Sequence, residues 1–455
     1  MKPLSLLEIY LKELRGGFFM SAKHGLGEKT PGFAEYLARR KIVFLVTYFG
    51  YISCYLVRNN FKLLSEELRI ANDWSLTEVG FILTAFTITY GSGKFVMGMV
   101  VDQFKLNRVF AISLAISAVA AIMMGFVESI VLMFILMLIL GLAQGATAPA
   151  TLSMIGAWYN NHLRGSRVAV WNTAQNLGAA LLPIVIAGLL ALAGPSNLAV
   201  AFWVPGLVVL VCCFFFYKYG GDRPESEGLP SLKEMFGEAG QPKAKHVEGD
   251  TYWKILRQEV LTSRVLLMIA LVNALLYFLR FGILNWMPAY LGGDKMFTVF
   301  QVQAAISVLE WLAIPGSLFF AWLAIKWPNK QSMVGSISML ICGSAVFFYI
   351  IVDSFVGILI IVAVLGTTIY GPQLIINIMT LNFVSSRSSG AAVGFVGLAG
   401  YILGELSANF VMPIAAENFS WTVSISLVIV VAVLCILCYG SLYRAERRIV
   451  KTEEA

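Results

Sequence analysis

Charge is scarce in this sequence. Of its 455 residues, 13% are Asp, Glu, Lys or Arg and 58% are hydrophobic, with a mean hydropathy of +0.79. A soluble domain carries about a quarter charged residues, so that class is excluded. Histidine is rarer still: His24, His162 and His246 all fall in polar stretches, leaving none inside an apolar segment for proton transfer or metal binding. The cysteines (Cys54, Cys212, Cys213, Cys342, Cys435 and Cys438) all fall in apolar segments and read as small buried hydrophobes rather than disulfide partners. Cys435-x-x-Cys438 has no second pair, so no metal site is expected. Alternating segments of strand length are missing too, which excludes a transmembrane β-barrel. No cofactor is implied, and nothing marks an enzyme.

What the sequence has in abundance is continuous apolar runs of about 20 residues, the length that spans a bilayer. Twelve can be drawn, over 42–62, 78–101, 108–127, 130–157, 167–193, 198–219, 264–291, 300–326, 332–352, 355–384, 388–415 and 420–443. The expected fold is an all-α polytopic membrane protein with twelve transmembrane helices in two six-helix pseudo-symmetric halves. Its parts would be an amphipathic N-terminal arm (1–41) without a signal-peptide core, an N-terminal half (42–219), a polar linker (220–263), a C-terminal half (264–443) and a tail (444–455). The net charge of +7 comes mostly from loop lysine and arginine, so it reports topology and not a nucleic-acid partner. Arg39, Arg40, Lys41, Lys105, Arg164 and Arg444 lie on one side if the runs alternate; the other side has Lys62, Arg69 and Lys295, accompanied by acids. By the positive-inside rule both termini are cytoplasmic, and a bacterial inner membrane is the expected location. Contact with membrane lipid is implied, and the chain is expected to act as a monomer.

Two arginines interrupt the apolar runs. Arg58 lies 17 residues beyond Lys41, and Arg280 lies 16 beyond Arg264, so their depths match. An arginine inside a span costs roughly 2.5–3.5 kcal/mol on insertion scales. Guanidinium stays charged and offers a planar fork that binds phosphate or carboxylate bidentately. Two forks at matching depth point to an anionic ligand between the halves; the alternative is that each pairs with a buried acid or snorkels to an interface. Lys94 in the second run adds a third cation, which can also snorkel or pair with an acid. Gly-Ser-Gly-Lys at 91–94 lacks the first glycine of a nucleotide loop and sits in a span.

Aromatic and amide side chains surround these cations. Tyr51, Tyr55 and Arg58 share a helix face, and Tyr277 precedes Arg280 by three residues. Tyr370 and Tyr401 stand in glycine-rich segments. These phenols can donate to phosphate or sugar oxygens, or simply pack. Asn172, Gln175 and Asn176 can bind substrate hydroxyls or join helices. Glu310 and Glu405 are intramembrane acids, expected either as proton relays or, preferentially, in salt bridges to Lys94 or an arginine. Gly98-x-x-x-Asp102 with Arg108 resembles the loop 2–3 signature of the major facilitator superfamily and reads as a conformational latch; the equivalent place after the eighth run lacks the acid.

Several ordered motifs resemble the organophosphate:phosphate antiporter family of that superfamily, over nearly the whole chain beyond the N-terminal arm. They are Tyr55-Leu-Val-Arg-Asn-Asn-Phe61, Tyr90-Gly-x-x-Lys-Phe95, Trp171-Asn-x-x-x-Asn-x-Gly178, Arg223-Pro-Glu-Ser-x-Gly-Leu-Pro230, Tyr277-x-x-Arg-x-Gly-Ile-Leu-x-Trp286, Ile314-Pro-Gly316, Ile369-Tyr-Gly-Pro372 and Gly394-Phe-x-Gly-Leu-x-Gly-Tyr401. The resemblance implies that Arg58 and Arg280 bind a phosphoryl group, with Lys94 and the tyrosines in support. It also implies exchange of a phosphate ester for inorganic phosphate by alternating access. Where the family's bacterial glycerol-3-phosphate transporter has a histidine, this chain has Gln175, which cannot gain a proton and makes glycerol 3-phosphate less secure as the ester; the hexose-6-phosphate branch is the preferred resemblance. Glycerol 3-phosphate or phosphoglycerate exchange, proton-coupled anion symport and a non-transporting hexose-phosphate sensor remain alternatives.

Overall fold

The computed structural model describes residues 31–236, 257, 260–327, 330–383 and 389–453. Among these, twelve helices are long and apolar enough to cross a membrane: α1 Phe33–Arg58, α2 Leu76–Gly98, α3 Leu106–Met124, α4 Ile130–Trp158, α5 Leu163–Ala193, α6 Val200–Tyr219, α7 Arg264–Leu284, α8 Val299–Ala324, α9 Gln331–Ile351, α10 Phe355–Thr380, α11 Ala392–Asn418 and α12 Trp421–Arg444. The protein is thus a multi-pass membrane protein of the expected all-α class. Because the spans alternate, α1 begins and α12 ends on the same face, called here the proximal face; the opposite one is distal.

The ends of the chain's regular structure differ from expectation. Helix α1 starts at Phe33, so Arg39, Arg40 and Lys41 lie within it instead of ahead of it. Arg39 pairs with Glu227 at 2.5 Å, which clamps the start of the linker to α1. After α12 the chain stays helical to Glu453, through the segment expected as a tail. Residues 1–30 of the arm and 237–256 of the linker lie outside the described residues.

Each half is built on tight helix pairs, α2 with α4 and α8 with α10. Glycine is what permits the approach. A Cβ on Gly145 would lie 2.7 Å from the backbone of Gly93, and one on Gly366 would strike the carbonyl of Leu309. Small residues let helices pack without a hydrophobic driving force between them, because lipid is as apolar as leucine. The consequence for the site is direct. Gln144, beside Gly145, is pressed toward the interior of the first half, and Tyr370, one turn beyond Gly366, is pressed toward Glu310, next to Leu309.

The halves touch mainly through α5 with α8 and α2 with α11. Several hydrogen bonds join them in the distal part of the molecule. Gln303 Nε2 donates to Leu63 O at 2.7 Å, Ser307 Oγ to Ala180 O at 2.9 Å, and Asn409 Nδ2 to Thr87 Oγ1 at 3.1 Å. At the distal tip Glu417 of α11 accepts from both the backbone N–H, at 3.0 Å, and the hydroxyl of Thr77, in the first turn of α2. A carboxylate at a helix N-terminus meets unpaired N–H groups and the positive end of the dipole. The distal end is therefore sealed, while Lys94 and Asn172, further toward the proximal face, are exposed.

Candidate anion-binding site

Helix α1 stops at Arg58. The chain breaks at Asn59 (φ −102°, ψ 0°) and resumes as two short helices, Asn60–Leu63 and Ser65–Ala71. Helix α7 likewise ends soon after Arg280, at Leu284. Both arginines therefore sit near the C-terminal end of a helix, where unpaired carbonyls favour a cation.

Arg58 is 8% exposed, so it does not snorkel. Its Nε donates to Gln144 Oε1 of α4 at 2.6 Å, and Gln144 is itself oriented by donating from Nε2 to Cys54 O at 3.0 Å. The guanidinium lies 4.4 Å from the ring centroid of Tyr55 and 4.6 Å from that of Tyr90. Such cation–π contacts are worth about 2 kcal/mol when desolvated. Arg280 repeats the plan. One of its terminal nitrogens, Nη1, donates to Gln373 Oε1 of α10 at 2.6 Å, Gln373 donates to the Tyr277 hydroxyl at 2.8 Å, and the guanidinium stands 4.2 Å from the Tyr370 ring. Tyr55 of the first half is within electrostatic reach of both arginines.

Neither arginine is in ion-pair contact with a carboxylate among the described residues. Each retains a buried N–H group without a hydrogen-bond partner, Nη2 on Arg58 and Nε on Arg280. A buried unpaired donor costs roughly 1–3 kcal/mol, more when charged. Each half thus holds one buried guanidinium with a donor left unfilled.

The other expected residues divide. Tyr401 joins the site: its ring stands edge-on to Tyr90 at 5.4 Å and to Tyr277 at 5.1 Å, linking the halves. It lies with Glu405 on a π-helical turn, Gly400–Glu405, in α11; such turns recur at functional sites. Lys94 is exposed, and its charge reaches Tyr90 of its own half and Tyr277 of the other, which places it on the open side. Gln175 accepts from Tyr55 at 3.4 Å. Tyr51 instead packs on Trp171, with centroids 4.3 Å apart. Asn176 is buried while Asn172 is exposed, so the two amides do not act together.

The acids correct the expectation of salt bridges. Glu310 accepts from the Tyr370 hydroxyl at 2.7 Å and its other oxygen, Oε2, is buried without a partner. Neither it nor Glu405 forms an ion pair with Lys94 or an arginine among the described residues. In the low dielectric around Glu310 a neutral hydroxyl donor satisfies the carboxylate without a second buried charge. Arg108 is exposed and lies 6.0 Å from the Tyr217 ring centroid; the side chain of Asp102 lies outside the described residues.

Three residues of the site do not stand out in the sequence. Gln144 and Gln373 are inconspicuous as neutral amides, although Gln144 is the one strongly polar side chain between 130 and 146. Lys62 reads as a loop lysine. It lies instead within electrostatic reach of Glu310, Glu405, Arg58 and Arg280.

The sequence profile described as Major Facilitator Superfamily matches residues 44–408. The "Phosphoglycerate transporter protein" of Salmonella typhimurium is 29% identical over 416 residues, covering 90% of each chain. The "Hexose-6-phosphate:phosphate antiporter" of Escherichia coli is 27% identical over 431 residues, covering 90% of this chain and 92% of its own. A bacterial homologue of the lysosomal transporter Spinster, solved inward-facing and unoccupied, superposes with a TM-score of 0.76 at 13% identity, over 90% of this chain and 98% of that one, which speaks to fold alone. These relatives are transporters, not enzymes. With twelve spans in two halves and a profile match over most of its length, the chain belongs to the Major Facilitator Superfamily, and its relatives in sequence include organophosphate transporters.

Proposed function

We propose that this protein exchanges an organophosphate, with a hexose 6-phosphate such as glucose 6-phosphate as the ester, for inorganic phosphate across a bacterial inner membrane. The observation that carries this reading is the matched arginine pair, each with a buried unpaired N–H, each held by a glutamine oxygen and a tyrosine face. Phosphate supplies acceptors to both forks at once. Without an anion, two guanidinium groups repel across a low-dielectric space and oppose closure. A phosphoryl group bridges them and offsets the repulsion. Either inorganic phosphate or its ester can do so, which makes empty return slow and exchange the dominant cycle. The anion acts because it interacts differently with open and occluded states. With the termini in the cytoplasm, the exposed Lys94 side is the inward opening, and the hydrogen bonds at Thr77, Thr87, Leu63 and Ala180 form the outer seal.

The test is counterflow in proteoliposomes. Liposomes loaded with phosphate should accumulate labelled glucose 6-phosphate, and unloaded ones should not. Uptake that ignores internal phosphate and collapses with a protonophore would assign proton-coupled symport instead. Ligand binding without counterflow would assign a receptor. Preferred uptake of glycerol 3-phosphate or phosphoglycerate would keep the exchange and replace the ester.

A further inference from the structure

The structure holds a second polar cluster on the sealed side of the arginine pair. Lys62 belongs to the short helix Asn60–Leu63, whose Leu63 carbonyl accepts from Gln303 of α8 at 2.7 Å. Glu310 lies two turns along α8 from Gln303, on the same face. Glu405 enters from the π-helical turn of α11. The two carboxylates are 4% and 5% exposed, and both act electrostatically on Lys62, as do both arginines. The cluster therefore draws on both halves and lies next to the anion site.

Its hydrogen-bonding capacity is only partly filled: Glu310 accepts from Tyr370 and Glu405 is hydrogen-bonded to Thr87. Among the described residues the Lys62 ammonium has no hydrogen-bond or ion-pair partner. Glu310 Oε2 is buried with none. An ammonium offers three donors and a carboxylate only acceptors. The groups that complement both at once are hydroxyls, which donate to carboxylate and accept from ammonium. A second anion on the ligand would gain one contact with Lys62 and meet two carboxylates.

We propose that Lys62, with Glu310 and Glu405, forms the subsite for the organic part of the ester, and that Lys62 sets a preference for a polyhydroxylated phosphate ester over one carrying a second anionic group. This deepens the exchange reading above and rests on it. Burial lowers the Lys62 ammonium to about 8, the two carboxylates raise it and the two arginines lower it further. A neutral polyol leaves the balance of one basic and two acidic groups undisturbed.

The experiment measures inhibition of phosphate self-exchange in proteoliposomes by glucose 6-phosphate, 3-phosphoglycerate and unlabelled phosphate, for the native protein, Lys62→Met and Lys62→Arg. A site built to hydrogen-bond a hydroxyl loses selectivity steeply when a partner is removed. Lys62→Met should raise the half-inhibiting concentration of glucose 6-phosphate about tenfold more than that of phosphate, with Lys62→Arg in between. Should Lys62→Met fail to fold, the isosteric Glu405→Gln must show the same ester-selective shift. Equal shifts for phosphate and glucose 6-phosphate would overturn the proposal, because Lys62 would then act only through the arginines. Selective loss of 3-phosphoglycerate would overturn it as well, by assigning the subsite to a second anion. Absence of phosphate self-exchange in the native protein would sink the exchange reading instead.

Discussion

The arginine centres of the two halves share a plan and differ in their connections. Around Arg58 no contact leads to an acid. Gln144 is tied to the Cys54 carbonyl, the guanidinium lies against the rings of Tyr55, Tyr90 and Phe86, and Tyr55 continues to Gln175. Around Arg280 the contacts run on. Gln373 continues to Tyr277, and Tyr370 continues to Glu310, whose second oxygen is buried without a partner. One centre is a fixed cation in an aromatic box. The other is a cation at the end of two hydrogen-bond chains, one of which reaches the acid that borders Lys62. The difference teaches that pseudo-symmetry conserves the charge and its immediate acceptor, while the second layer is free to serve the part of the ligand that is not phosphate.

The strongest way to break the comparison is to replace each fork by a point charge. Arg58→Lys and Arg280→Lys each keep the charge and lose the bidentate geometry. Disrupting a buried charged hydrogen-bond pair costs about 2–5 kcal/mol, so each variant should lose roughly 30-fold or more in exchange rate per substrate concentration. Near-normal counterflow by either lysine variant would refute equal roles for the two centres.

A sharper probe is the acceptor glutamines. Gln144→Leu removes the acceptor of Arg58 Nε and should lower exchange about tenfold. Gln373→Leu should cost less, because Glu310 remains close to Arg280. If the second variant proves the more damaging in transport assays, the aromatic box is not the more rigid centre.

Smaller still is Tyr370→Phe. The ring stays over Arg280, and only the hydrogen bond to Glu310 goes. The expectation is a change of about fivefold in hexose-phosphate affinity, near 1 kcal/mol, with a lesser change for inorganic phosphate; inhibition constants for the two would show it.

The least effect is expected where the chain continues past each arginine. Beyond α1 it forms the charged helix Ser65–Ala71, and beyond α7 the π-helical turn Ala289–Asp294. The Glu66 carboxylate rests against Gly293, where a Cβ would come within 2.6 Å of it, and pairs with Arg69 at 2.8 Å. Glu67 beside it has a buried oxygen without a partner, and burial, with Glu66 adding, raises its carboxyl from 4.5 to about 7. A raised carboxyl pKa means the folded state holds the proton more tightly, so this contribution to stability is present below 4.5 and lost as pH rises through about 7. Glu67→Gln should therefore melt slightly higher than the native protein in detergent at pH 8 and alike at pH 4.5. A pH-independent gap would show that Glu67 is solvated.

Much of the architecture is legible in the amino-acid order. The spans are read from runs of apolar residues, a local property, and their positions agree to within a few residues except at the start of α1 and the end of α7. Helix α1 begins early, and within that extension Arg39 meets Glu227 of the linker, a partner no local reading can supply. Arg58 and Arg280 stand out because a cation in an apolar run is expensive and so implies a purpose. Gln144 and Gln373 do not, because neutral amides are tolerated in spans for packing alone. A salt bridge is the natural expectation for Glu310 because charge complementarity is the only pairing rule a sequence displays; its real partner is a phenol sixty residues away. Lys62 reads as a loop residue because it follows the apolar run, and the break at Asn59 is what places it near the arginines instead.

The amino-acid sequence alone therefore determined the membrane class, the number of spans, the two halves and the pair of intramembrane cations, because hydropathy and the cost of a buried charge depend only on what each segment contains. Tertiary structure alone decided which oxygens hold those cations, which acids lie near Lys62 and which end of the molecule is sealed. Arg58 meets a glutamine 86 residues on and Arg280 one 93 residues on. Such pairings are set by where glycines let helices touch, and that follows from the packing of the whole bundle.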